Sequence, residues 1–179
     1  LILMISISAD CDVNCVILNC IDGRLAANTD VLFLRHASPA ALAVEVIKLP
    51  VGQQMIMCLE ERLPDAEVKA LASLRSAGKV FEFKKKYVVE ELTEHSFDDV
   101  DYVLGATENP ITAQWAPAAV KAGAVVIDNS SLYRLDENVP LVIPEINPED
   151  IRAQHGIISN PHCATIIALV AVNALHRRW

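Results

Sequence analysis

From residue 41 onward, short apolar runs alternate with longer stretches in which apolar and polar positions are mixed. The short runs, at residues 41–47, 68–71, 101–107, 124–127 and 156–158, predict buried strands. The mixed stretches predict helices that begin at Val51, Ile111 and Ala164. This regular alternation is typical of an α/β fold with a doubly wound, mostly parallel sheet.

Turn-forming and helix-breaking residues divide these elements. Gly123 is suited to end the helix over 111–122, and Pro117 predicts either a kink in that helix or its first turn. The segments 80–83 and 87–89 predict a hairpin around a solvated lysine run at 84–86. Residues 139–144 predict a further extended piece, whereas residues 1–40 carry no pattern to which we can assign a role.

Composition and charge narrow the function. The chain has 179 residues, 53% of them hydrophobic, which is enough for one domain with a substantial core. Its net charge of -8 and its lack of a large basic cluster argue against a nucleic-acid partner or an anionic membrane surface. The apolar run at residues 1–5 is too short for a membrane span and lacks the basic flank of a signal peptide. Because the first residue is Leu1, we expect a fragment.

The cysteine pattern indicates reduced thiols. Five cysteines, at positions 11, 15, 20, 58 and 163, form no C-x-x-C pair, and their odd number argues against a disulfide framework. A cytosol-like compartment is therefore expected. The first three could be metal ligands, but no histidine lies near them in sequence, so we interpret them as small buried residues and expect no metal site.

Cys163 is the candidate nucleophile. It lies between the turn-forming pair Asn160-Pro161 and the start of an apolar helix. The positive end of a helix dipole favours a thiolate, and the free amides there can stabilise an oxyanion on an attacked acyl group. The local pattern is equally compatible with a buried structural cysteine, and the two interpretations remain open on these residues alone.

Four ordered runs carry a family resemblance, at residues 71–79 (LASLRSAGK), 124–131 (AVVIDNSS), 139–148 (VPLVIPEINP) and 159–166 (SNPHCATI). With them, residues 51–176 resemble the amino-terminal half of aspartate-semialdehyde dehydrogenases. The resemblance implies a Rossmann-like NADP-binding domain over residues 41–160. Residues 161–179 would be the nucleophile loop and first helix of a second catalytic and dimerisation domain that is largely missing, and residues 1–40 stay unassigned.

The family reduces L-aspartyl 4-phosphate to L-aspartate 4-semialdehyde with NADPH, through a thioester on its cysteine, in lysine, threonine and methionine biosynthesis. The resemblance therefore implies a small-molecule substrate, a cytoplasmic location and a homodimer or higher oligomer. It also implies that the catalytic histidine, further substrate-binding residues and most of the interface lie beyond Trp179. His155 and His176 are expected to be surface residues.

By position, the resemblance assigns a role to each of several residues. Cys163 would be the nucleophile, and Arg75 and Ser76 would contact the 2′-phosphate of NADP. Arg134 would hold the phosphate of the substrate, with a surface ion pair to Asp136 or Glu137 as the alternative. The remaining candidates are Gly52, Asn129 and Ser130 at the cofactor crevice and Asn160 in the nucleophile loop.

Two positions depart from the family pattern. Residues 45–50 (EVIKLP) replace its glycine-rich turn, and only Gly52 survives, so weaker dinucleotide binding is expected. His162 stands where the family usually has Asn. Adjacent side chains need not point together, so a chance substitution is the favoured interpretation, and an imidazole that favours ionisation of the Cys163 thiol is the alternative. The alternatives are a degenerate domain without turnover or an enzyme similar to N-acetyl-gamma-glutamyl-phosphate reductases, whose nucleophile loop typically has Gly before and Tyr-Pro after the cysteine.

Overall fold

The structure is a computed structural model that describes residues 41–45 and 50–179. Its strands are β1 (Ala41–Glu45), β2 (Glu67–Ala72), β3 (Val80–Glu82), β4 (Lys86–Glu91), β5 (Tyr102–Gly105), β6 (Val125–Asp128) and β7 (Ile157–Ser159). Its helices are α1 (Pro50–Arg62), α2 (Asn109–Ala122) and α3 (Cys163–His176), and a 3-10 helix spans Pro148–Ala153. The cysteines at positions 11, 15 and 20 and the loop at 46–49 lie outside the described residues.

The described strands form one sheet in the order β3-β4-β2-β1-β5-β6-β7. Five of its pairings are parallel, and β3 with β4 is antiparallel. The chain leaves β1 for β2 on one side and later returns to β5 on the other side of β1. This confirms the predicted doubly wound, mostly parallel α/β sheet, with its topological switch point between β1 and β5.

Burial explains why the central runs are almost wholly apolar. All four residues of β5 are buried, and Val126, Ile127 and Asp128 of β6 are buried as well. Helices cover a parallel sheet on both faces, so such strands do not alternate between apolar and polar positions. In the edge strand β4 the pattern does alternate, since Tyr87 and Val89 are buried while Val88 is exposed.

Helix α2 begins and ends at defined signals. It ends as predicted at Gly123, whose positive φ of 98° lets its amide reach the carbonyls of Ala119 and Val120. Pro110 occupies the first turn, where a missing amide costs nothing. Pro117 lies inside the helix, so the predicted first-turn role for that proline is wrong. The helix packs on the sheet through Trp115, Ala116 and Ala119.

The predicted extended piece at 139–144 is not a strand. It makes one isolated parallel bridge, between Leu141 and Ser159. Pro140 accepts a hydrogen bond from the Ser159 amide at 2.9 Å and Val142 donates one to the Ser159 carbonyl at 3.1 Å. Pro140 and Pro144 have no amide hydrogen to extend this ladder. The structure also adds the 3-10 helix at Pro148–Ala153, which the sequence pattern did not indicate.

Helix α3 contacts the domain along a narrow strip. Ile166 is buried against Ile143, with Ile146 and Val170 beside them. Ile167, Leu169, Val172 and Leu175 are exposed. The proposed boundary at residue 161 remains a prediction, as does the unassigned segment 1–40. Among the described residues, no helix has the length and apolar character needed to cross a membrane.

Candidate active site

The predicted site residues line up along the carboxyl edge of the sheet. Arg75 and Ser76 follow β2, Gly52 follows β1, Asn129 and Ser130 follow β6, and Asn160 and Cys163 follow β7. Neighbouring strands lie roughly 4.8 Å apart, so the four steps from β2 to β7 span about 19 Å. In open α/β sheets the ligand crevice lies outside this edge at the switch point. The fold therefore gathers residues that are far apart in sequence into one row.

Cys163 is the first residue of α3 and its thiol is free and exposed. The interpretation as a buried structural cysteine is therefore wrong. At this position the thiol lies at the amino-terminal, positive end of the helix dipole. The loop and helix thus present the thiol of the candidate nucleophile Cys163 to solvent at the carboxyl edge.

His162 points towards this thiol. Its ring Nδ1 caps α3 by accepting a hydrogen bond from the amide of Ala164 at 3.3 Å. The Sγ of Cys163 lies 3.8 Å from Nδ1 and 4.0 Å from Nε2 of the same ring. The two adjacent side chains therefore do meet. The capping bond turns the imidazole back over the helix start, which brings the ring next to the thiol.

Asn160 joins the loops that follow β6 and β7. It is buried, and its backbone N–H donates to the backbone carbonyl of Asp128 at 2.8 Å. Its side-chain Nδ2 donates to Oδ1 of Asn129. The candidate cofactor-crevice residue Asn129 and the candidate nucleophile-loop residue Asn160 are thus in direct contact.

Arg134 braces the same two loops. Its Nε donates to the carbonyl of Asn160 at 2.9 Å and its Nη2 donates to the carbonyl of Asn129 at 2.8 Å. These bonds to the backbone, rather than an ion pair to Asp136 or Glu137, fix the guanidinium. An arginine carries five N–H donors, so these two bonds leave three for an anionic ligand.

Asp128 is a residue that sequence reasoning overlooked. It is fully buried, and its Oδ1 accepts the amide of Ser130 at 2.9 Å while its Oδ2 accepts the Ser130 hydroxyl at 2.7 Å. The Ser130 oxygen in turn accepts the amide of Leu132 at 3.1 Å. Burial raises the pKa of Asp128, and the bonds from Ser130 and the charge of Arg134 offset part of that rise. The sequence signal for Asp128 was its position as a carboxylate at the end of an otherwise apolar strand.

The residues at and just after the end of β5 pack closely against α2. Thr107 is buried, its hydroxyl lies 2.9 Å from that of Thr112, and it accepts the indole N–H of Trp115 at 3.1 Å. Gly105 lets the indole approach, since a Cβ there would lie 2.9 Å from two ring carbons of Trp115. This close approach was not evident from the pattern of apolar and polar positions.

The cofactor side of the row is a turn after β2. Ser76 is buried and its amide donates to the carbonyl of Ser73 at 2.8 Å, whereas Arg75 is exposed. Gly52 is buried in the first turn of α1. A free guanidinium beside a serine, one strand away from the switch point, suits the phosphate and ribose of a dinucleotide. The described residues contain no group of His, Cys, Asp or Glu that could hold a metal ion.

Comparison with known proteins identifies the family. The sequence profile of the semialdehyde dehydrogenase NAD-binding domain matches residues 50–154. The chain belongs to this family. It is a family of domains that bind a nicotinamide dinucleotide, which agrees with a ligand position at the carboxyl edge of the sheet. The resemblance inferred from the four sequence runs is confirmed.

Curated relatives of this semialdehyde dehydrogenase domain are aspartate-semialdehyde dehydrogenases. The protein from Synechocystis is 42% identical over 142 residues, which is 78% of this chain and 42% of that protein. The protein from Aquifex aeolicus is 46% identical over 131 residues, which is 70% of this chain and 38% of that protein. The chain therefore spans less than half the length of these relatives.

A solved structure agrees with the fold. The crystal structure of aspartate semialdehyde dehydrogenase II from Vibrio cholerae, complexed with ASA, is 39% identical in sequence with a TM-score of 0.72. The match covers 78% of this chain and 47% of that chain. The similarity thus extends over most of the semialdehyde dehydrogenase domain described above.

Proposed function

We propose that this chain is the NADP-binding, nucleophile-carrying part of an aspartate-semialdehyde dehydrogenase, which converts L-aspartyl 4-phosphate to L-aspartate 4-semialdehyde through a thioester on Cys163. The observation that carries the proposal is the bracing of the nucleophile loop against the cofactor-side loop, by Arg134 and by the Asn129–Asn160 pair. It is supported by relatives that bear this name at 42% and 46% identity.

The cofactor proposed is NADP, and when bound it supplies the hydride. Arg75 is exposed at the carboxyl end of β2 and offers a planar fork of donors to the 2′-phosphate, with Ser76 in the same turn. Gly52 in α1 would lie near the pyrophosphate, and Asn129 and Ser130 would shape the crevice after β6. Val46 and Leu49 replace glycines in the preceding turn, so pyrophosphate contacts are expected to be fewer.

The acyl-transfer side of the proposal uses three residues. Cys163 would attack the acyl phosphate as a thiolate, expelling phosphate and leaving the acyl group on sulfur. Arg134 would contact the departing phosphate through the donors that its two backbone bonds leave free. Asn160 would hold the loop in register. We also propose a cytoplasmic location, a small-molecule substrate and a homodimer or higher oligomer as in the family, with no nucleic acid, membrane or metal ion as partner.

Cofactor binding tests the first half of the proposal. Calorimetric titration of the 179-residue chain should show tighter binding of NADPH than of NADH. Arg75→Ala should weaken NADPH by about tenfold or more, because a hydrogen bond to a charged group is worth about 1.5–3 kcal/mol, and should leave NADH unchanged. Lys79→Ala, an exposed cation of the same turn, is the matched control. A folded chain that binds neither nucleotide would favour the degenerate-domain alternative.

Acylation tests the second half. Incubation with L-aspartyl 4-phosphate should leave an aspartyl thioester on Cys163, which mass spectrometry of the intact chain detects. Cys163→Ser should abolish this adduct, whereas Thr165→Ser, in the exposed first turn of α3, should retain it. A larger adduct yield from N-acetyl-gamma-glutamyl phosphate would favour the related reductase instead. A chain that binds NADPH but forms a thioester with neither acyl phosphate contradicts the proposed chemistry.

A further inference from the structure

Asn109 connects the loop after β5 to the loop after β6. Its Oδ1 accepts hydrogen bonds from the backbone N–H of Ser131 at 3.0 Å and from the Ser131 hydroxyl at 3.2 Å, and its Nδ2 lies 3.0 Å from the same hydroxyl oxygen. The two residues are 22 positions apart in the chain. Asn109 lies in none of the four runs that carry the family resemblance, so the resemblance assigns it no role.

The end of β5 gives Asn109 a fixed base. Thr107, two residues earlier, is buried and accepts the indole N–H of Trp115 at 3.1 Å. Asn109 itself begins α2, which packs on the sheet through Trp115. The chain on either side of Asn109 is therefore anchored in the core. Its partner Ser131 is exposed in a loop, so Asn109 restrains the less supported of the two segments.

The loop after β6 is held from two sides. Asn109 holds Ser131 on the side of β5, and Arg134 holds the carbonyls of Asn129 and Asn160 on the side of β7. Ser131 and Arg134 are three residues apart, so the placement of one limits where the other can reach. The contacts form a continuous path from the start of α2 to the nucleophile loop. Such a path shows coupling only when a measurement demonstrates it.

We propose that Asn109 is a positioning residue of the candidate active site, which fixes the loop after β6 so that Arg134 can brace the nucleophile loop. Asn109 acts through Ser131 and Arg134 and needs no contact with a ligand. The proposal rests on the proposed function only in taking Cys163 as the nucleophile. It makes the position of that thiol depend on the first residue of α2 as well as on Arg134.

Amide hydrogen exchange of the full chain, measured by mass spectrometry without added ligand, tests this role. Asn109→Ala removes all the bonds to Ser131, whereas Asn109→Asp keeps an oxygen that accepts them. We expect Asn109→Ala to speed exchange about threefold or more over residues 129–134 and over residues 160–163, because neutral hydrogen bonds of modest net strength are lost. Asn109→Asp should restore most of the protection in both segments. Gln114→Ala, at an exposed position of the same helix, is the matched control and should change neither.

A double-mutant comparison separates positioning from local loosening. Arg134→Lys breaks the link between the loop after β6 and the nucleophile loop. Asn109→Ala should therefore speed exchange over residues 160–163 in the parent chain but add little there in the Arg134→Lys background. Its effect at Ser131 should persist in both backgrounds. Denaturant unfolding of each variant checks that all the compared proteins are folded.

Three results would overturn the proposal. The first is unchanged exchange in both segments of Asn109→Ala. The second is faster exchange over residues 129–134 alone, because Asn109 would then be only a local structural residue. The third is an equal effect of Asn109→Ala over residues 160–163 in both backgrounds, because Arg134 would not then transmit it. The measurement needs neither nucleotide nor acyl phosphate. A chain that fails to bind NADPH or to form a thioester would therefore contradict the proposed function and leave this test intact.

Discussion

Arg134 donates a hydrogen bond from Nε to the backbone carbonyl of Asn160, 26 positions further along the chain, at 2.9 Å. The same guanidinium holds the carbonyl of Asn129. Asn160 in turn donates its amide to Asp128, so the ends of β6 and β7 are closed into one network. Cys163 begins α3 three residues beyond Asn160. The position of the candidate nucleophile Cys163 therefore depends on a side chain that also belongs to the candidate phosphate site.

Arg134→Lys should loosen the nucleophile loop. An ammonium group is a point charge on a flexible stem, so it cannot hold both carbonyls in the fixed fork of a guanidinium. We expect amide hydrogen exchange over residues 160–163 to speed up by about tenfold or more, as the loss of a charged hydrogen bond of about 1.5–3 kcal/mol would predict. Exchange mass spectrometry measures this. Arg152→Lys, at an exposed position of the 3-10 helix, should change nothing, and equal protection in both variants would refute the bracing role.

Gly105→Ala should strain the end of β5. The new methyl group would lie 2.9 Å from two ring carbons of Trp115, which is buried and stacked on Phe97 with ring centroids 5.8 Å apart. Overpacking of this kind costs about 1–3 kcal/mol, and denaturant unfolding should show a loss in that range. The matched test is the same change in a Trp115→Phe background, where the smaller ring should reduce the cost. An equal cost in both backgrounds would mean that the indole is not the obstacle.

The sequence was sufficient for features that depend on local signals. The buried strands were evident as apolar runs because helices cover them on both faces. Gly123 marked the end of α2 because the backbone there is in the left-handed region, which favours glycine. Lys84 and Lys85 lie in the exposed hairpin turn that the pattern indicated, and Lys86 begins β4.

Features that depend on strand order or on a rotamer were beyond the sequence. Asn129 and Asn160 are 31 positions apart, and their contact follows from the adjacency of β6 and β7. The turn of the His162 ring towards Cys163 follows from a capping bond to Ala164. The segment at 139–144 makes one isolated bridge to β7, because its prolines lack the donors that a longer strand needs.

Glu60, in α1, binds the hairpin turn through hydrogen bonds. Its Oε1 accepts the Lys85 amide at 2.7 Å and the Tyr87 hydroxyl at 3.0 Å, and its Oε2 accepts the Lys84 amide at 3.0 Å. Burial alone raises the pKa of Glu60, but these three bonds outweigh it, so that the pKa lies below its ordinary value of 4.5. For Tyr87, burial and the bond to Glu60 raise the pKa to about 12.

Glu60→Gln should weaken the hydrogen bonds between α1 and the hairpin turn. The side-chain amide of glutamine has a single acceptor oxygen, so at least one of the three donors that now bind Glu60 would face its NH₂ group. We therefore expect the unfolding free energy to fall by about 1–3 kcal/mol near pH 7. Because the folded-state pKa is lowered, the stabilisation by Glu60 is fully present above about pH 4.5 and disappears as the pH falls through the folded value. Denaturant unfolding from pH 3 to 7 should show this fall in the parent chain but not in Glu60→Gln. The exposed neighbour Glu61→Gln should behave like the parent, and a pH-independent loss in Glu60→Gln would contradict the role of the charge.

Asp128 has the opposite dependence on pH. Burial raises its pKa above the ordinary 3.8, more than the Ser130 bonds and the Arg134 charge lower it. The folded chain therefore binds more protons than the unfolded chain between the two values, and its stability falls as the pH rises through that interval. The ionised carboxylate of Asp128 therefore carries a cost in stability, while its oxygens accept the amide and hydroxyl of Ser130 in the loop that leads to Arg134.

Asp128→Asn should remove this cost while keeping an acceptor for the Ser130 amide. We expect the unfolding free energy of the variant minus that of the parent to increase from about pH 4 upwards and then to level off above the folded-state pKa of Asp128. Asp136→Asn, at an exposed carboxylate of the same loop, should give no such increase. Denaturant unfolding of the three proteins across this range measures both differences. If the difference for Asp128→Asn decreased with pH instead, ionised Asp128 would stabilise the fold, and burial would not be the larger effect on its carboxyl group.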